Sequence, residues 1–167
     1  MNDEFIGTGT AELSAIELNP DFEAAASAAW AVPESADEYR FALSHLTGST
    51  PEEIMAGTAA FKTAAHRMGL PVSLARHIAE SISDGIKRRG AEPVDRAALA
   101  AGATKSLEIL ERTYGVAEAD RMLHDTAALL DLAATPELEE LLERSGATND
   151  PFLIATLSNV YRVRAGR

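Results

Sequence analysis

Three times in this chain a small polar residue stands directly before a proline that opens an apolar, helix-patterned run: Thr50-Pro51, Thr135-Pro136 and Asp150-Pro151. The side-chain oxygen of such a residue can accept a bond from a free N–H of the first helical turn. Proline at the first helical position loses nothing, because the N–H it lacks would have had no partner there. Thr50-Pro51-Glu52-Glu53 adds the glutamate of a capping box. A chain punctuated in this way can hardly fold as anything but a series of helices. Composition agrees, since alanine is abundant, β-branched residues are sparse and aromatics make up only 5%. The expected fold class is all-α.

The apolar spacing fills in the elements. Ile54, Phe61, Ala65 and Met68 share one stripe of a 3.6-residue period, and Gly69 is placed to stop that helix. Pro71 opens the next, with Leu74, Ile78, Ile82 and Ile86 at i+4 spacing until Gly90. Two amphipathic helices joined by Gly69-Leu70 predict an antiparallel pair over 50–90. After Pro93, Asp95 can cap a third helix that turns Leu99, Ala103, Leu107, Leu110 and Tyr114 inward and ends at Gly115. A fourth, over 117–133, faces Met122, Thr126, Leu129, Leu130 and Ala133 inward. Short helices follow Thr135 and Asp150, with apolar faces Leu138, Leu141 and Leu142, then Phe152, Leu153, Leu157, Val160 and Tyr161. The expectation is about six helices in a helix-hairpin or bundle arrangement over 50–167, four of them within 93–167. There is no internal repeat of 20–50 residues. Residues 1–49 read as an acidic, alanine-rich arm with at most one short helix near 21–31. In 37–43, Tyr39 and Phe41 alternate like strand residues, but no partner strand is evident, so an extended lead-in is expected.

Charge and residue types exclude several functions. The 167 residues carry a formal charge of −11, so most of the surface repels a phosphate backbone and nucleic acid is not expected as a partner. Without cysteine there are no disulfides, zinc thiolates, iron–sulfur clusters or thiol nucleophiles. No apolar run approaches the roughly 18–20 residues that span a bilayer, and Met1-Asn2-Asp3-Glu4 is acidic where a signal peptide is basic. A soluble protein retained inside the cell or particle that made it is expected, with no membrane partner. His45, His66, His77 and His124 show no metal-ligand spacing and read as surface or boundary residues. Gly7-x-Gly9 follows no strand, and Ser35, Ser44, Ser49, Ser73 and Ser81 sit in no nucleophile elbow. Glu52-Glu53 and Glu139-Glu140 suit first helical turns, where the dipole favours acids. The reading is a non-enzyme with no catalytic residue, metal or cofactor.

Basic residues are unevenly placed. Residues 1–49 hold nine acids and one base, 93–150 twelve acids and five bases, and 151–167 three arginines and no acid. Lys87-Arg88-Arg89 closes a helix, where cations complement the C-terminal dipole. Arg162, Arg164 and Arg167 have no acid near them in sequence and are the candidate partner-binding residues. The wide apolar faces of the third and fourth helices, with Leu129-Leu130 and Leu132 on more than one side, predict a homodimer or larger oligomer.

The order of motifs resembles the capsid scaffolding, or head assembly, proteins of tailed bacteriophages. Pro33-Glu34 through Phe41 is similar to their Pro-Glu-x-Tyr-x-Phe lead-in, and Phe61 through Ser73 to their paired helices around a Gly-Leu turn. Leu110 through Gly115, followed by Ala117-Glu118-Ala119-Asp120, is similar to their helix break, with Thr113-Tyr114 in place of a tryptophan. Leu142-Glu143-Arg144-Ser145-Gly146 and then Asn149-Asp150-Pro151 carry the most specific part. The likeness covers roughly residues 33–162, with few glutamines after Gly69-Leu70 and no long charged tail. It implies a helical, self-associating, non-enzymatic protein that binds the major capsid protein and directs shell assembly, in the cytoplasm of the host bacterium and inside the procapsid or particle. A related structural virion component and an acidic helical adaptor or regulatory module are the competing readings.

Overall fold

The structure, a computed structural model, describes residues 30–43, 49–90 and 94–166. Among them are six α-helices and no strand: α1 (Pro51–Met68), α2 (Val72–Arg89), α3 (Arg96–Tyr114), α4 (Val116–Asp131), α5 (Pro136–Ser145) and α6 (Pro151–Arg164). Single turns of 3₁₀ helix lie at Ala36–Glu38 and Ala147–Asn149. The protein is all-α, as its punctuation predicts.

The expected caps at Thr50, Asp95, Thr135 and Asp150 all form. Thr50 Oγ1 accepts from the Glu53 N–H at 3.2 Å while Glu53 Oε2 accepts from the Thr50 N–H at 2.7 Å, a complete capping box. Asp95 accepts from the N–H groups of Ala97 and Ala98, Thr135 from Leu138, and Asp150 from Phe152. Gly69 and Gly146 close α1 and α5 in the left-handed conformation, each with φ 67°, a region that costs glycine nothing.

Pairing of the helices differs from the expected hairpin. α1 and α2 share few close approaches, and both pack instead on α5, α2 the more extensively. Gly85 makes this possible, because a Cβ there would collide with the backbone carbonyl of Ser145 at the end of α5. The most extensive helix contact is α6 lying along α4, and α3 packs on the same α4. One core joins Phe61 and Met68 of α1, Ile78, Ile82 and Ile86 of α2, Leu129 of α4, Leu138 and Leu141 of α5, and Leu153 and Leu157 of α6. A smaller cluster of Leu110, Ala119, Met122 and Ile154 lies between α3, α4 and α6.

Two sequence expectations are corrected here. The boundary between arm and domain does not fall at residue 49, because Tyr39 and Leu43 are part of the main core. Tyr39 is 0% exposed, its hydroxyl donates to the Leu70 carbonyl at 2.7 Å, and burial pushes its phenol pKa up to about 12. The alternation of Tyr39 and Phe41 comes from an extended segment lying on α1, where Phe41 sits between the rings of Tyr39 and Phe61, tilted against each. Residues 1–29 of the expected arm lie outside the described residues. The second correction concerns the apolar stripes, which overreach: Ala103 in the middle of α3 is exposed, as are Tyr114 at its end and Phe152 at the start of α6, the last by 63%.

Leu129 is fully buried, so Leu129→Ala is expected to lose about 2–5 kcal/mol in denaturant unfolding. Gly85→Ala is expected to cost roughly 1–3 kcal/mol by forcing α2 away from Ser145. An unchanged midpoint for Gly85→Ala would mean that the two helices do not meet there.

Candidate functional site

Glu118 and Asp125 are seven residues apart on α4 and so share a face, as do Ser158 and Arg162, four apart on α6. Because α6 lies along α4, the two polar rows meet. Arg162 Nε donates to Asp125 Oδ2 at 2.6 Å, and its Nη1 donates to Glu118 Oε1 at 2.5 Å. Ser158 Oγ, fully buried, donates to the same Asp125 oxygen at 3.2 Å, and Arg121 reaches Glu118 from one turn along α4. Burial works to raise the Asp125 carboxyl, but the hydrogen bonds from Arg162 and Ser158 and the charge of Arg162 outweigh it and hold the group below its ordinary range. The Arg162 hydrogen bond does the same for Glu118, with help from Arg121. Arg162 Nη2 is buried and has no hydrogen-bond partner among the described residues.

The candidate partner-binding arginines are therefore not equivalent. Arg162 was expected to stand clear of acids, and in the fold α4 supplies two. It cannot offer its charge to another molecule without abandoning Asp125 and Glu118. Arg164 is exposed at the helix end, where its Nη1 donates to the Arg67 carbonyl at the end of α1 at 2.5 Å. Arg167 lies outside the described residues. Sequence reasoning missed the lock because each half is polar and looks solvated on its own helix. The signal was the matching of an i, i+7 acid pair with an i, i+4 Ser/Arg pair.

Other singled-out residues have structural settings. His66 Nε2 donates to the Glu34 carbonyl at 3.0 Å and fastens the lead-in to α1. His77 meets the ring of Phe152 edge-on, with centroids 5.9 Å apart. His124 is exposed beside Asp125, and His45 and Ser44 lie outside the described residues, as does Gly7-x-Gly9. Ser49 meets both terminal nitrogens of Arg144 at 3.3 Å, and Ser35 donates to Glu38. Arg88 and Arg89 close α2 as the dipole argument expects, and with Arg144 and Asp95 they border an open cavity of about 320 Å³. Among the described residues no three His, Asp or Glu side chains group as a metal site, and no helix is long and apolar enough to cross a membrane.

Comparison of the chain with protein-family models, with curated proteins and with solved structures finds no match in any of the three.

The ion-pair lock makes a signed prediction. Groups whose folded pKa is depressed add stability that is present above the ordinary carboxylate range and is lost as pH falls through their folded values. Arg162→Met is therefore expected to lower the melting temperature at neutral pH, and the gap between variant and parent is expected to narrow as the pH drops below about 4. Melting curves across pH check this. A gap that is constant with pH would show that Arg162 acts through packing alone.

Proposed function

We propose that the protein is a non-enzymatic capsid scaffolding or head assembly protein of a tailed bacteriophage, which self-associates and binds the major capsid protein. The reading rests on the ordered resemblance over residues 33–162. The observation that carries it is the corner between α3 and α4, where Tyr114 and Val116 flank Gly115 and stand 49% and 60% exposed. Leu132, at the far end of α4, is also exposed by 53%. Apolar side chains at both ends of one helix suit a protein that is covered by other chains during assembly. The basic end of α6, through Arg164, contacts an acidic surface of the capsid protein, while the acidic remainder keeps clear of the genome.

At micromolar concentration the chain is expected to sediment as a dimer or larger species, and Tyr114→Glu with Val116→Glu is expected to shift it toward monomer. A single 17.7 kDa species in the parent would contradict self-association. Co-expression with a phage capsid protein is expected to yield procapsid-like shells containing this chain, with incorporation falling as salt rises and in Arg164→Gln. Exclusion of the chain from such shells at every salt concentration would overturn the capsid reading.

A further inference from the structure

α4 and α5 follow one another with only residues 132–135 between them, yet they do not pack closely together. α4 is committed to α6 and α3, and α5 to α2 and α1. The two commitments leave a cleft. Its outer part, about 630 Å³, has a floor of Leu130, Leu138 and Leu142, with the exposed Ala127 at its mouth. An inner part of about 150 Å³ shares three of those residues and continues to Leu153 and Leu157 of α6. The cleft is thus an apolar well reaching the side chains of the main core.

Its rim decides what can enter. Asp131, Glu139, Glu140 and Glu143 border the outer part, and among the described residues no lysine or arginine does. Glu140 is paired with Arg144 at 3.8 Å, and Asp131, Glu139 and Glu143 are exposed. Carboxylates around an apolar floor repel anionic and acidic segments, including this chain's own residues 1–49 with nine acids and one base. A positively charged segment gains from both surfaces at once. The volume admits a few side chains rather than a whole element, which suits a helix lying across the mouth with its apolar anchors in the well.

We propose that the cleft between α4 and α5 is a docking site for a basic amphipathic helix of a partner protein, which seats one or two large apolar side chains over Leu130 and Leu142 and sets its lysines or arginines against the acidic rim. This site is distinct from the α3–α4 corner and from the basic end of α6, and it stands whether or not the partner is a capsid protein.

The test uses the full chain and a fluorescent synthetic helix of about 14 residues, roughly four turns, built of leucine and lysine with the leucines on one face. Controls are a scrambled peptide of the same composition and a leucine–glutamate peptide. Fluorescence anisotropy is expected to show saturable binding of the facial peptide, at least about tenfold weaker binding of the scrambled one, and none of the acidic one. Two variants separate the well from the rim: Ala127→Trp fills the mouth without changing charge, and Glu139→Lys with Glu143→Lys reverses the rim. Each is expected to weaken binding about tenfold or more while circular dichroism and the melting temperature stay close to the parent's. Should Ala127→Trp fail to fold, Ala134→Trp fills the same mouth from a second exposed position. Absence of binding, equal binding of the scrambled peptide, or full binding by a folded mouth-filled variant would each overturn the proposal. Peptide binding by a chain that stays out of capsid shells would uphold the cleft and reject the capsid reading alone.

Discussion

The return of α6 onto α4 closes the chain on itself and sets the position of everything else. Along this contact Leu153 and Leu157 enter the main core, and Ile154 enters the smaller cluster with Leu110 and Met122. Apolar packing supplies the driving force, but it would tolerate a slip along the helix axis. The polar contacts do not. Thr126 Oγ1 donates to the Ile154 carbonyl at 2.9 Å, and one and two turns further along α6 Ser158 and Arg162 meet Asp125. A slip of one turn would leave Asp125 with at most one of its two partners, and a buried carboxylate that loses a partner costs more than the pair contributes when made. The lock's role in this fold is to fix register.

Once α4 is held by α6 and α3, the remaining helices have little choice. α5 is turned away from α4 by the four-residue joint and receives α2 through the Gly85–Ser145 approach. α1 then reaches α5 from the other side, roofed by the Tyr39–Leu43 segment, whose Leu43 N–H is taken by Thr58 Oγ1 at 3.1 Å. Asn149, in the 3₁₀ turn before α6, ties in α3 by donating to the Leu99 carbonyl at 2.8 Å, while its own carbonyl accepts from Ser106. The two proposed contact surfaces follow from what this arrangement leaves over. They are the α3–α4 corner, which none of the described helices covers, and the gap between two consecutive helices that each pack elsewhere.

What the sequence made legible was local. A capping box, three caps placed before prolines and glycines with positive φ involve residues a few positions apart, so their chemistry is complete within a short window. Helix existence and ends were therefore readable to within a residue or two, as at Gly69, Gly90 and Gly115. Partner choice was not, because α1 and α2 each carry one apolar stripe and nothing in a stripe names the helix it meets. Phe152 illustrates the limit: it lies next to Leu153 in an apolar run, yet α6 turns it out against His77 while Leu153 goes inward. The tail arginines read as free for the same reason, since the acids that hold Arg162 lie 37 and 44 residues earlier in the chain.

Native-state hydrogen exchange tests the central place of the α4–α6 contact most directly. If α6 fixes α4, the amides around Leu129 and those around Leu157 should exchange only through a shared opening, with similar free energies close to that of global unfolding and with the same denaturant dependence. Exchange of the α6 amides by a separate, much easier opening, with α4 still protected, would contradict the account. α6 would then be an appendage on a core that forms without it.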